Sequence, residues 1–439
     1  MKKVVKFGGS SLASAEQFMK VKEIITADKD RCYVVPSAPG KRFSNDTKVT
    51  DMLYGCYDLA EKKKDFKKQF EVIKERYNEI IEGLGLKLSL DERFAKIYDD
   101  FKAGMGRDYA ASRGEFLNSI IMAEYIGYDW IDAADVILFT EDGEFDSEKT
   151  NECLSKVLEA HDRAVIPGFY GVCPDGKVKT FSRGGSDITG SIVARAAKAS
   201  VYENWTDVSG LLIVDPRIIK NPEGIETITY KELRELSYMG FSVFHEDAIF
   251  PVRREGIPIN IRNTNKPSDP GTWIVESTCQ KSKYTITGIA GKKGFCSVNI
   301  DKAKMNSEIG FGRKVLQAFE DNGISFEHMP SGIDTMTVFV HQDEFIDKEQ
   351  QVVSEIHRLT NPDSIDIESD LALVAVVGRG MKSTHGTAGR IFSALSHANV
   401  NVKMIDQGSS ELNIIIGVRN EDFETAIRAI YDIFVVSQL

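Results

Sequence analysis

The chain has 439 residues, of which 42% are hydrophobic and 28% are charged, and its formal net charge at pH 7 is −11. This length predicts two or three domains, and this composition is typical of globular domains rather than of a disordered chain. A net acidic chain argues against nucleic-acid binding, which needs clustered lysines and arginines against the phosphates.

Nothing in the sequence favours a membrane or an oxidising compartment. No apolar run approaches the roughly 18 residues that a membrane span needs. The N-terminal segment reaches Gly8 and Gly9 before a signal-peptide core could form. The six cysteines form no C-x-x-C pair, which is consistent with reduced thiols. We therefore expect a cytoplasmic protein.

Short apolar runs and helical patterns alternate over the first 280 residues. Strands are predicted at residues 4–7, 31–36, 136–139, 164–166, 201–204 and 211–214, and helices at 16–26, over most of 51–127, at 149–160 and at 187–199. This alternation is typical of an α/β domain with a largely parallel sheet.

The remainder of the chain contains an internal repeat at an offset of 76 residues. Gly310 matches Gly386, Gly332 matches Gly408, and the apolar positions between them follow the same helical and alternating spacings. Each unit is predicted to run strand–helix–strand–strand–helix, which is a small ferredoxin-like module.

The segment after the first strand is the first candidate phosphate site. Two glycines, Gly8 and Gly9, would let backbone N–H groups approach phosphate oxygens, and Lys6 would add a positive charge. Taken alone, such a segment is more often a tight turn. No Walker-A pattern occurs, which argues against a P-loop enzyme.

Two further segments carry polar residues where a parallel sheet would place a ligand. Arg183 and Asp187 bracket a glycine-rich turn before a helix, and such a pair suits a substrate with both a carboxylate and an ammonium group. The alternative for this segment is an ordinary helix start. Thr206 and Asp207 follow another predicted strand, where the alternative is an ordinary strand–turn boundary.

Together these segments resemble the aspartate kinase family of the amino-acid kinase superfamily. The family's K-F-G-G-[TS]-S stands at residues 6–11, its R-G-G-S-D at 183–187, and its T-D-V-x-G followed by D-P-R at 206–217. The segments V-G-R-G-M-K at 377–382 and Q-G-S-S-E-L-N-I at 407–414 resemble the family's ACT regulatory module.

The resemblance implies both a fold and its boundaries. An amino-acid kinase domain, with a largely parallel sheet and helices on both faces, would occupy residues 1–280. A tandem ACT region would occupy 281–439, with the first module at about 295–365. The second module would span about 370–439, with residues 284–290 completing its sheet.

The resemblance also implies roles for individual residues. Catalytic roles fall to Lys6, at the transferring phosphoryl group, and to Asp187, as an organiser. Nucleotide contacts fall to Gly8, Gly9, Ser10, Thr206, Asp207 and Arg217. Substrate contacts fall to Ser37, Thr50, Glu115 and Arg183, the last holding the α-carboxylate of aspartate. No residue is assigned as a metal ligand.

The sequence departs from the family pattern in three respects. Extra residues separate Ser37 from Thr50, Leu212 replaces an aromatic residue, and Ser242 replaces a lysine expected beside the nucleotide. Two alternatives therefore stay open: another amino-acid kinase, or an effector-binding regulator whose kinase site has decayed.

The implied reaction is the transfer of a phosphoryl group from ATP, with Mg²⁺, to the β-carboxylate of L-aspartate, the first step of lysine, threonine and methionine biosynthesis. The first module resembles that of lysine-sensitive enzymes, so lysine is the expected effector and threonine the second choice. The implied effector residues are Met305, Gly310, Phe311, Ser331 and Asp334. A homodimer or homotetramer through the ACT modules is also implied.

Overall fold

The computed structural model describes residues 1–182, 184–241, 246–279 and 282–437. Contacts divide the chain into two compact units. The first contains residues 1–211, 224–230 and 242–278, and the second contains 212–223, 231–241 and 279–439. Within the described ranges, no helix combines the length and apolar character that crossing a membrane requires.

The first unit is built on a largely parallel sheet. Its strands are β1 (Lys3–Phe7), β2 (Arg31–Pro36), β3 (Asp129–Trp130), β4 (Ala164–Val165), β5 (Tyr170–Val172), β6 (Val178–Thr180), β7 (Val201–Thr206), β8 (Thr227–Thr229), β9 (Ile259–Asn263) and β10 (Thr272–Val275). Eight of them form one sheet in the order β3-β4-β2-β1-β7-β9-β10-β8, in which only the β9–β10 pair is antiparallel. Strands β5 and β6 form a separate hairpin.

Helices surround this sheet, and several are long. They are α1 (Ala15–Thr26), α2 (Val49–Glu61), α3 (Lys67–Gly83), α4 (Asp91–Lys102), α5 (Arg107–Ile126), α6 (Ala133–Val136), α7 (Ser147–Glu159), α8 (Gly185–Ala196), α9 (Tyr230–Tyr238) and α10 (Phe250–Arg254). From residue 231 onward, α9 belongs to the second unit. Short 3-10 turns occur at Gly9–Leu12 and Glu246–Ile249. The carboxyl ends of β1, β2, β7 and β9 meet at one edge of the sheet, because these neighbouring strands run parallel.

Two predicted strands are wrong. Residues 136–139 do not form a strand: Val136 ends helix α6, whose start is capped by the Asp132 side chain at the Ala134 N–H, and the Leu138 N–H donates to the Thr150 hydroxyl at 2.9 Å. Only isolated bridges follow, at Leu138 and Phe139. Residues 211–214 do not form a strand either: the Leu211 N–H donates to the side-chain hydroxyl of Thr272 in β10 rather than to a backbone carbonyl of a strand.

The second unit contains a six-stranded antiparallel sheet. Its strands are β11 (Gly288–Asp301), β12 (Phe326–His328), β13 (Thr335–His341), β14 (Ser364–Val377), β15 (Met404–Asp406) and β16 (Asn413–Arg419), in the order β12-β13-β11-β14-β16-β15. Its helices are α11 (Phe311–Asp321), α12 (Gln342–Phe345), α13 (Glu349–Thr360), α14 (Thr387–His397) and α15 (Phe423–Tyr431), with 3-10 turns at Met305–Ser307, Ile346–Lys348 and Arg379–Ser383 and a π-helical turn at Asp432–Val436.

Two long strands connect the two halves of this sheet. The second part of β11 pairs with β13, and its first part lies against the part of β14 that pairs with β16. The predicted fold class, an α/β unit with a largely parallel sheet followed by two ferredoxin-like modules, is confirmed. The residue boundaries remain a prediction.

A buried carboxylate joins α9 to the strands and loops of the second unit. Glu232 is fully buried and accepts hydrogen bonds from the Thr287 hydroxyl (2.6 Å) and from the Arg379 backbone N–H (2.8 Å). The Arg379 guanidinium lies 3.1 Å from the other carboxylate oxygen. A buried acid is stable only when such donors satisfy it, so this site fixes the position of α9 within its unit.

Replacing this acid should be costly. Glu232→Leu removes the buried acceptor that Thr287 and Arg379 share and should lower the free energy of unfolding by about 3 kcal/mol, measured by denaturant titration. Glu424→Ala, which breaks an exposed pair with Arg428, should cost less than about 0.5 kcal/mol. Equal effects of the two substitutions would contradict a structural role for the Glu232 pair.

Candidate active site

The loops after β1 and β2 touch through their backbones. Gly40 N–H donates to the Gly9 carbonyl at 2.8 Å. A Cβ on Gly40 would lie 2.5 Å from the Gly9 carbonyl carbon, and a Cβ on Gly9 would lie 2.9 Å from the Ala38 carbonyl oxygen. Glycine is therefore required at both positions for this close approach. The Gly8 N–H is held by the Trp205 carbonyl of β7 at 2.9 Å, and Ser10 is half-buried.

Lys6 and Asp187 form an ion pair at the end of β1. Lys6 is only 7% exposed, and its Nζ lies 2.6 Å from Oδ1 of Asp187, which stands in the first turn of α8. The Asn204 side-chain amide on β7 donates to the same oxygen at 2.7 Å. One carboxylate oxygen thus orients the lysine and joins three elements of the fold. Asn204 was not predicted as a site residue, and in the sequence only its position at the end of the predicted strand 201–204 indicates such a role.

Ser37, Thr50 and Glu115 converge beside this pair. A Cβ on Gly114 would lie 2.7 Å from Cβ of Ala38 and 3.9 Å from the Thr50 hydroxyl, so the loop after β2, helix α2 and helix α5 meet here. The Ser37 carbonyl accepts a hydrogen bond from the Asn118 amide at 2.7 Å. Asn118 was not predicted, although it stands three positions after Glu115 on one helix.

Glu115 is a buried acid with an unused oxygen. It is 6% exposed, and among the described residues its Oε2 has no hydrogen-bond partner. Burial raises the pKa of this carboxyl to about 7, against the opposing effects of a hydrogen bond with the Ala38 backbone and of the Lys6 and Arg113 charges. Such an oxygen can accept a hydrogen bond from a ligand ammonium group.

The residues predicted to contact the nucleotide belong to different units. Thr206 ends β7 and donates from its hydroxyl to Asp207 at 3.2 Å, and both residues belong to the first unit. Arg217 belongs to the second unit, where its Nε lies 3.0 Å from Oδ1 of Asp215. The predicted positions Arg183 and Ser242 lie outside the described residues.

The predicted effector residues lie on adjacent segments of the second unit. The Lys304 N–H donates to the Asp334 carboxylate at 2.8 Å, and the Lys302 N–H donates to the Asp334 carbonyl at 2.8 Å. Gly310, with φ of +80°, precedes the first turn of α11. Met305 and Phe311 are buried in the core of the first module. Ser331 forms an isolated antiparallel β-bridge with Met336.

The amino acid kinase family model matches residues 1–263, and an ACT domain model matches residues 374–434. Aspartokinase 3 of Bacillus subtilis (strain 168) is 41% identical, over 98% of each chain. This chain belongs to the aspartate kinase family.

Solved aspartate kinase structures share its fold. The aspartate kinase of Clostridium acetobutylicum is 52% identical, covers 98% of this chain and 99% of its own, and superposes with a TM-score of 0.91. Escherichia coli aspartokinase III in complex with aspartate and ADP is 22% identical over 98% of this chain and 99% of its own, with a TM-score of 0.75, and it shows the likeness in fold.

The raised pKa of Glu115 predicts a pH-dependent use of aspartate. If the ionised acid holds the substrate ammonium, kcat/KM for aspartate should rise with pH through about 7 and then level off, since the protonated carboxyl below that pH has lost its charge. Glu115→Gln should lower kcat/KM and remove this rise. Glu124→Gln, at an exposed position of the same helix, should keep it. A rise that persists in Glu115→Gln would assign the titration to another group.

Proposed function

We propose that this site transfers the γ-phosphoryl group of ATP to the β-carboxylate of L-aspartate, giving 4-phospho-L-aspartate, and that lysine acts on the ACT region to inhibit it. The observation that carries the proposal is the meeting of the glycine loop, Lys6 and the buried Glu115 at the carboxyl edge of the parallel sheet. Family membership supports the same reaction.

The chemistry brings two anions together and needs no strong base. The attacking carboxylate has an ordinary pKa of about 3.9 and is already ionised at neutral pH. Its oxygen attacks the γ-phosphorus, the bond to the β–γ bridging oxygen breaks, and ADP leaves with that electron pair. Lys6 and the N–H groups of Gly9 and Ser10 would offset the negative charge on the phosphoryl oxygens, since the Gly8 N–H already donates to the Trp205 carbonyl. Asp187, held by Lys6 and Asn204, is an organiser in this scheme.

A magnesium ion fits this donor set. Bound Mg²⁺ would neutralise charge on the β- and γ-phosphoryl oxygens. The described part of the chain holds no group of three or more His, Cys, Asp and Glu side chains suited to a metal. Because Mg²⁺ commonly binds through substrate phosphates and one or two carboxylates, we propose that it enters the site with the nucleotide. Asp187 is the carboxylate on the phosphate side that would face it.

Aspartate would lie between the loop after β2 and helix α5. Glu115 would accept the ammonium group, Ser37 and Thr50 would contact the substrate from the other side, and Arg183 would hold the α-carboxylate. A carboxylate and a guanidinium placed around an α-amino acid match its two charges in a way that no single residue can.

Removing the Lys6 charge should affect the chemical step. Lys6→Ala should lower kcat by about a hundredfold or more and change KM for aspartate far less, because the charge acts on the transferring group. Trapping the acyl phosphate with hydroxylamine measures this, with aspartate, glutamate and no substrate in parallel. Lys3→Ala, on the same strand but paired with Asp28, should keep kcat. A wild-type enzyme that forms no aspartyl hydroxamate would favour a decayed site, and one that prefers glutamate would favour another amino-acid kinase.

Three features support lysine as the effector. The Asp334 carboxylate could bind its side-chain ammonium, and the nearby N-terminus of α11 could bind its carboxylate. Escherichia coli aspartokinase III, which has the same fold, is known in complex with lysine and aspartate. Threonine is the second choice, and we propose that ACT modules pair in a homodimer or homotetramer.

Lysine at millimolar concentration should weaken the apparent affinity for aspartate or ATP, within the roughly 5- to 150-fold range of allosteric couplings. Asp334→Asn should blunt this effect and leave uninhibited activity in place. Asp363→Asn, which alters another carboxylate that caps a neighbouring backbone N–H, at Ala303, should retain the response. Flat titrations with lysine would overturn the lysine assignment, and flat titrations with threonine as well would leave the modules a structural role.

A further inference from the structure

Two neighbouring residues of α3, Arg76 and Tyr77, bind the loop that carries Ser37 and the helix that carries Glu115, respectively. Both side chains are buried, and neither was singled out by the sequence. Helix α3 belongs to the long helical segment between β2 and β3, which also carries Thr50 and Glu115. Arg76 and Tyr77 make polar contacts that end on two backbone carbonyls and on the Asp46 carboxylate. Such contacts satisfy buried backbone acceptors and hold the segments that carry them.

Arg76 fixes the loop that carries Ser37 and leads to Thr50. Its Nη1 donates to the Asp46 carboxylate at 2.7 Å, and its Nη2 donates to the Gly40 carbonyl at 2.8 Å. Asp46 also accepts hydrogen bonds from the backbone N–H and the Nε of Arg42, at 3.0 and 2.9 Å. The loop is thus closed on itself by one buried carboxylate and attached to α3 by one guanidinium.

The attachment point is the junction with the phosphate loop. Gly40 receives Arg76 on its carbonyl and donates its N–H to Gly9, so the Arg76 contact fixes both loops together. The Val49 N–H donates to the Pro39 carbonyl at 3.2 Å and brings the chain back to the start of α2, one residue before Thr50. A loop lengthened by extra residues loses more entropy when it is ordered, and these contacts offset that loss.

Tyr77 contacts helix α5, which carries Glu115. Its hydroxyl donates to the Gly114 carbonyl at 2.7 Å, and both groups are buried. Gly114 directly precedes Glu115 and faces Ala38 and Thr50 at close range. The Tyr77 hydroxyl therefore attaches α3 to the turn of α5 that carries Glu115.

We propose that Arg76 and Tyr77 are positioning residues for aspartate, which keep the Ser37–Thr50 loop and Glu115 at the separation that the substrate needs. The proposal rests on the function proposed above. An arginine is required because its planar guanidinium donates to Asp46 and Gly40 at once, whereas a lysine ammonium is a compact point charge with different geometry. Displacements well below the size of a side chain are costly in such a site.

Steady-state kinetics of Arg76→Lys and Tyr77→Phe test this, with Arg31→Lys as the matched control. Arg31 is also a buried arginine that binds a carboxylate, Glu203 at 2.8 Å, and a backbone carbonyl, that of Ile24, but it lies at the opposite end of β2. Both α3 variants should raise KM for aspartate about tenfold, and Tyr77→Phe, whose hydroxyl contacts Gly114 and not the loop joined to Gly9, should leave KM for ATP within about twofold.

A purely structural role predicts a different pattern. Arg31→Lys should lower the melting temperature while keeping the wild-type KM for aspartate, and α3 variants that did the same would overturn the proposal. Should Arg76→Lys fail to fold, Tyr77→Phe alone decides, because it removes one hydroxyl and keeps the ring. A wild-type enzyme without activity on aspartate would instead refute the proposed function, and the positioning role would fall with it.

Discussion

The ion pair between Lys6 and Asp187 is the interaction on which the rest of the site depends. A lysine that is only 7% exposed needs a partner, and the one it has stands at the start of α8 and also binds Asn204 of β7. Strand β1, helix α8 and strand β7 are therefore held together where the phosphoryl group would transfer. The Lys6 Nζ lies near the glycine loop, 3.6 Å from where a Cβ on Gly8 would stand. In the proposed reaction, whose nucleophile is already ionised, Asp187 serves as an organiser.

Backbone packing supplies the second constraint. The loops after β1 and β2 approach closely because Gly9 and Gly40 carry no Cβ, and the hydrogen bond between them joins the loop proposed to bind phosphate to the loop proposed to bind aspartate. Arg76 of helix α3 donates to the Gly40 carbonyl at this junction. Tyr77 of the same helix donates to the carbonyl of Gly114, the residue before Glu115. In the proposed function, few charged side chains act on the substrates, and the glycine junction, Arg76 and Tyr77 hold those side chains at fixed separations.

The sequence predicts the fold class because hydrophobic periodicity and an internal repeat report local structure directly. The strand prediction fails at residues 136–139, where helix α6 takes Val136 and the Leu138 N–H donates to the Thr150 side chain. It also fails at 211–214, where the Thr272 side chain accepts the Leu211 N–H. Family motifs bring attention to Lys6 and Asp187, which the structure places in contact. Residues such as Arg76 and Asn118 lie in ordinary helical patterns, and their partners are far away along the chain, so no local signal distinguishes them.

The central claim is that this site phosphorylates the side-chain carboxylate of aspartate. Phosphorus NMR with aspartate labelled by ¹⁸O in the β-carboxylate tests it directly, because attack by that oxygen leaves the label in the bridge to phosphorus. The account predicts an acyl phosphate whose signal carries the isotope shift with β-labelled aspartate and lacks it with α-labelled aspartate. An acyl phosphate labelled from the α-carboxylate, or none at all, would contradict it.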